Sequence, residues 1–217
     1  MGAAVFLLVG AGLTGCASKP VAPTKKTRTS ASEFGQWRGV GTASRILSKD
    51  GVTKNERWSL GLEVVSRTPG YGRIEVTGAM GVYGGTIAWN KTETKILLPG
   101  QRKFVVAPNS TKAFVAILPF PISPSEVEAI LFDRDFDSRT LASRKISCKT
   151  EETKEVCSSA TGFLLERTRG LENVAFEVST DDGANVKMQL KPVRAKVEER
   201  PELWALEAPR GFKVIQQ

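Results

Sequence analysis

Alternation constrains this chain more than any other feature. Trp58, Leu60, Leu62 and Val64 recur at every second position, with Arg57, Ser59 and Glu63 among the residues between them. A period of two places the apolar set on one face of a β-strand and the polar set on the other. Ile74 and Val76 repeat the pattern against Arg73, Glu75 and Thr77. Residues 40–47, 83–89, 94–98 and 103–106 read as further strands, separated by turn formers such as Thr68-Pro69-Gly70 and Pro99-Gly100. Beyond the middle of the chain the pattern returns over residues 140–148, 161–166, 174–178 and 186–197, with Val174, Phe176 and Val178 on one face. Short strands joined by tight turns predict an antiparallel meander, and a sheet with one apolar face must cover it.

The period changes between the two runs of strands. Phe114, Ile117 and Leu118 stand at i, i+3 and i+4, and so do Val127, Ile130 and Leu131, so each set makes the apolar face of a short helix. The second helix carries its own start signal. Ser123 caps it, Pro124 suits its first turn, Glu126 returns the capping-box bond and Ile122 staples onto Val127. The link Leu118-Pro119-Phe120-Pro121 cannot continue a helix. The expected fold class is mainly β (α+β), with two short helices covering the apolar face of an antiparallel sheet.

Several chemistries drop out. The chain has no histidine, so no Ser-His or Cys-His pair can form, and no enzyme or cofactor is expected. Cys148 and Cys157 flank a polar, charged loop and are expected to pair as a disulfide stapling a hairpin; the rival reading, a metal site, lacks both histidine and a third nearby thiolate. Asp133, Asp135 and Asp137 lack the glycine and distal glutamate of a calcium loop and read as a solvated linker. Asn90-Lys91-Thr92 reads as a hairpin turn, and Gly84-Gly85 is followed by no phosphate-loop Lys-Ser/Thr. The formal charge of +8 is scattered along alternating segments, with Lys25, Lys26 and Arg28 clustered near the start. That pattern fits anionic lipid head groups, or an ordinary solvated surface, rather than nucleic acid.

Residues 3–13 form an uncharged apolar run, too short to span a bilayer, and Leu13-Thr14-Gly15-Cys16 follows it. No Lys or Arg precedes the run. The four-residue ending resembles the lipobox of bacterial lipoproteins. That implies a signal peptide over residues 1–15, cleavage before Cys16 and acylation of Cys16, and several acyl chains on one residue anchor durably. Ala17 and Ser18 follow in place of an inner-membrane retention aspartate, so the expected location is the outer membrane, facing the periplasm. Residues 16–33 are expected to be an extended tether rich in Pro, Thr, Ser and Lys, and residues 34–217 a single domain, expected to be monomeric.

With these residues laid out, the chain resembles the family of half-barrel lipoproteins that includes the outer-membrane receptor LolB and its periplasmic carrier relative LolA. The resemblance lies in Trp37 with Gly39, Arg57-Trp58, the run from Arg73 to Gly81, and Leu118-Pro119-Phe120-Pro121-Ile122-Ser123 leading into the capped helix. It implies a curved, incomplete antiparallel β-barrel with short lid helices over its concave face. On that reading the strands lend Leu60, Leu62, Val64, Ile74 and Val76, then Ile87, Trp89, Ile96, Leu98, Phe104 and Val106, to an acyl-chain cavity. The lid carries Phe114, Ile117, Leu118, Val127, Ile130 and Leu131, and Met80, in a glycine-flanked loop, inserts into the membrane. The plainer reading is that the same residues fill a core. The implied function is reception of acylated lipoproteins from a LolA-like periplasmic carrier. The alternatives are a structural or interaction lipoprotein of an envelope assembly and a carrier of another lipid. The disulfide hairpin and the tail from Arg200 to Gln217 have no counterpart in that family.

Overall fold

The computed structural model describes residues 33–49, 52–78, 81–110, 114, 122–160, 162–193 and 198–217. Ser32–Gln217 forms one compact unit. The chain order is β1 (Glu33–Lys49), β2 (Val52–Thr68), β3 (Tyr71–Thr77), β4 (Tyr83–Trp89), β5 (Glu93–Leu98) and β6 (Lys103–Pro108). Two short helices follow, α1 (Pro124–Leu131) and α2 (Ser138–Ser143). The chain then runs through β7 (Ile146–Glu151), β8 (Lys154–Ser159), β9 (Leu164–Thr168), β10 (Val174–Ser179), β11 (Asn185–Pro192) and β12 (Lys213–Gln216). The described strands form one large, curved sheet in the order β12-β6-β5-β4-β3-β2-β1-β11-β10-β9-β8-β7. Its edges, β12 and β7, do not pair, so the sheet is unclosed.

The alternation sets the register. Val64 stands opposite Trp37 on one side and Ile74 on the other, Ile74 opposite Ile87, Ile87 opposite Ile96, and Ile96 opposite Val105. Each of these is buried, and together they form an unbroken apolar row across six strands. On the other side of β1, Leu190, Met188 and Val186 of β11 extend the same face to Val174, Phe176 and Val178 of β10. The seam between the two halves is tight. A Cβ on Gly39 would lie 2.0 Å from the Gln189 carbonyl oxygen and 2.8 Å from the Leu190 Cα, so only glycine lets β1 and β11 approach this closely. Gly72 serves Trp89 in the same way, since its Cβ would meet the indole ring at 1.9 Å.

Four expectations need correction. The sheet is not a simple meander: β1 pairs with β11, and β12 lies parallel to β6. Pairings between strands so distant in the chain leave no local trace in the sequence. Residues 140–145 do not begin a strand. Asp137 accepts a hydrogen bond from the Thr140 N–H at 3.1 Å and starts α2, so the strand begins only at Ile146. Phe104 and Val106 do not face the main core. Val105 takes that side, opposite Ile96, and the two flanking residues join Ala88, Leu97, Leu206 and Phe212 in a second, smaller cluster. The last strand of the second run ends at Pro192, short of the expected residue 197, and residues 194–197 lie outside the described set.

Candidate functional site

The inner face of the sheet is covered by α1. Its start is as the sequence predicts: the Ser123 hydroxyl accepts from the Glu126 N–H, and the Glu126 carboxylate accepts from the Ser123 N–H at 2.7 Å. Every residue of the helix except Ser125 is buried, more than an amphipathic surface helix would bury. Val127, Ile130 and Leu131 pack into the main core with Ile122. Phe114 is fully buried and meets the Trp89 ring edge-on at 5.8 Å, and Trp37 meets Phe132 in the same manner at 5.1 Å.

Between helix and sheet lies an apolar cavity of about 20 Å³. Leu62, Val64 and Ile74 line it from β2 and β3, Phe176, Met188 and Leu190 from β10 and β11, and Ile122, Val127, Ile130 and Leu131 from above. Sites that hold small molecules run to hundreds of cubic ångströms, so this space is all but filled. Of the expected cavity residues, Val76, Ile87, Trp89 and Ile96 are buried in the same core, and Leu60 and Leu98 pack partly buried against it. Trp58, on the same strand face, is 38% exposed, with the Arg45 guanidinium 5.4 Å over its ring. Phe176, Met188 and Leu190 were legible by the same alternation, but they stand in the second run of strands, whose pairing with β1 no local pattern reveals. Cys16, Met80, Ile117 and Leu118 lie outside the described residues.

Polar groups hold the cover at its borders. The Glu128 carboxylate, on α1, accepts from the Trp89 indole N–H at 2.8 Å and from the Gly70 N–H at 3.1 Å. Burial, the largest influence, raises its carboxyl above the ordinary value, against those bonds, the Thr68 hydroxyl and the charge of Arg134, all of which lower it. Glu126 pairs with Arg144, whose guanidinium lies 4.5 Å over the Phe163 ring. Arg167, nearly fully buried, pairs with Glu155, donates to the Ala129 carbonyl at 2.9 Å and to the Arg134 carbonyl at 2.7 Å, and stacks on Phe136 at 4.4 Å. Arg169 donates to Asp133 at 2.9 Å and to Asp135 at 2.7 Å. The acidic segment after α1 is thus solvated, as expected, and is also tied to β9 and the residue after it by Arg167 and Arg169. Desolvation opposes the Arg169 charge, but the Asp135 and Asp133 carboxylates hold its pKa above the usual arginine value.

Beside α1 lies a second cavity of about 420 Å³ lined by Pro69, Gly70, Trp89, Lys91, Asn109, Ser123, Pro124, Ser125 and Glu128. At the far end of the sheet, Cys148 and Cys157 stand directly opposite each other on β7 and β8 and are joined by a disulfide.

No known family profile matches the chain, and no curated protein matches it. Among solved structures, the chain is similar to the crystal structure of an uncharacterized conserved protein from Thermus thermophilus. The two are 12% identical, with a TM-score of 0.42, over 84% of this chain and 91% of that one.

Proposed function

We propose that the curved sheet acts as an incomplete barrel with α1 as its lid, and that it binds acyl chains between them. The observation that carries this reading is an apolar sheet face covered, among the described residues, by a short helix that is held at its borders by polar contacts: Glu128 to Trp89 and Gly70, Glu126 to Arg144, and Arg167 to the Ala129 carbonyl. Burying apolar surface is worth roughly 25 cal/mol per Å². An acyl chain that took the place of α1's side chains against the sheet would recover most of what the displaced helix gave up. The cavity of about 20 Å³ corresponds to the closed state, and cargo enters only when α1 moves off. In this reading Cys16 is acylated and holds the domain at the outer membrane, facing the periplasm. The cargo is the acyl part of lipoproteins handed over by a periplasmic carrier, with another lipid as the alternative.

The tight packing under α1 favours a second reading, an anchored structural or interaction domain with an ordinary filled core. Mass spectrometry of lipids that co-purify with the full chain from bacterial membranes separates the two. Acyl cargo present in stoichiometric amount supports the first reading, and a chain that repeatedly emerges free of lipid overturns it. Depletion in cells adds a second arm: mislocalised lipoproteins point to the receptor, a defect confined to one envelope complex to the structural domain.

A further inference from the structure

The charged cavity beside α1 is not used by the apolar compartment. Its floor includes Glu128, which is only 7% exposed. That carboxylate accepts N–H groups from Trp89 and Gly70 but makes no ion pair among the described residues; Arg134 acts on it through its charge. A buried carboxylate without a contacting cation is costly, and the raised affinity of Glu128 for a proton is the sign of that cost. Across the same cavity Lys91 is exposed, its stem crosses Gly70, and it too has no ion pair among the described residues. One cavity thus offers a buried negative group and a solvent-facing positive one, and its 420 Å³ is ample for a small polar ligand.

We propose that this cavity holds a zwitterionic headgroup, with a primary ammonium against Glu128 and a phosphate toward Lys91. The ammonium supplies a counter-charge in direct contact, where Arg134 acts only from a distance. Lys91 at the rim then meets the anionic part, which the buried carboxylate would repel from the floor. α1 separates the two compartments, presenting Val127, Ile130 and Leu131 to the apolar one and Pro124, Ser125 and Glu128 to the charged one. An amphipathic lipid can therefore place its chains and its headgroup against two different faces of a single helix. The assignment of the headgroup to a lipid rests on the acyl-binding reading; the ammonium site itself does not.

Native mass spectrometry of the full chain, released from a non-ionic detergent, tests this with three probes: phosphatidylethanolamine, phosphatidylglycerol of the same chain length, and free phosphoethanolamine. The expected result is at least about tenfold tighter binding of phosphatidylethanolamine than of phosphatidylglycerol, of the order a charge-assisted contact supplies. Glu128→Gln is expected to abolish that preference, bringing the two lipids to equal affinity whatever it does to both through the hold of α1. Lys91→Ala, at an exposed position that does not endanger folding, is expected to weaken phosphatidylethanolamine about threefold. Binding of phosphoethanolamine lost in Glu128→Gln would place the ammonium site independently of any acyl chain. If both lipids bind equally, and equally to Glu128→Gln with an unchanged melting temperature, the headgroup site is overturned and acyl binding stands. If neither lipid binds to the folded chain but phosphoethanolamine does, the acyl reading falls alone. If none of the three binds, both fall.

Discussion

Glu128 shows how one residue links the cover to the sheet. Its pKa is raised in the fold, so the folded state keeps the proton to higher pH than the unfolded chain does. Its contribution to stability is then complete below the ordinary glutamate value and is lost as the pH rises through the raised one. Thermal melts at pH values rising from the ordinary glutamate value should show the parent chain losing stability relative to Glu128→Gln as the pH increases; a difference that stays flat with pH would contradict the burial argument. Nothing in the sequence marks this residue. It lies one position after the apolar Val127, and only the fold brings the Trp89 indole and the Gly70 amide to it. Ser123 and Glu126, by contrast, were legible because a capping box is a local device, complete within four residues.

Among the elements, α1 and the β7–β8 hairpin illustrate the same division. The helix was readable from its cap and its i, i+3, i+4 spacing, whereas α2 was not. A six-residue helix with no buried residue has no apolar stripe to announce it, and its alternating neighbours suggested a strand. The hairpin was readable from its cysteines. Cys148 and Cys157 are nine residues apart, and closing so short a loop restricts the unfolded chain by about 2–3 kcal/mol in the chain-entropy account. Urea unfolding with and without reductant, or of a double Cys→Ala variant, should register a loss of that order. An unchanged midpoint would show that β8, paired on both sides by β7 and β9, needs no covalent help.

At the scale of the molecule, the alternation disclosed a largely antiparallel sheet with an apolar face, but not how its two runs of strands join or what covers the other face. That second face is the business of the segment after residue 197. Trp204 packs against Phe34 and Tyr71, Arg73 donates to the Ala205 carbonyl, and Leu206 is buried against Ala88 and Phe104. Leu206→Ala should cost about 2–3 kcal/mol, read from the denaturation midpoint. A cost near zero would mean that the strap is held by its polar contacts and by β12 alone. Periodicity points Phe104 and Val106 to the wrong face because the residues that cover their true side, Leu206 and Phe212, lie about a hundred residues downstream, beyond the reach of any local window.

The parallel pairing of β12 with β6 also sets an order on biogenesis. A chain that emerges N-terminus first completes β6 long before the residues that border it arrive, so Phe104, Ala88 and the open strand edge stay uncovered until almost all of the polypeptide has emerged. β1 waits likewise for β11. A product of premature termination or of proteolytic trimming near residue 200 would keep that sticky border permanently, and would be a client for holdase chaperones rather than a smaller working copy.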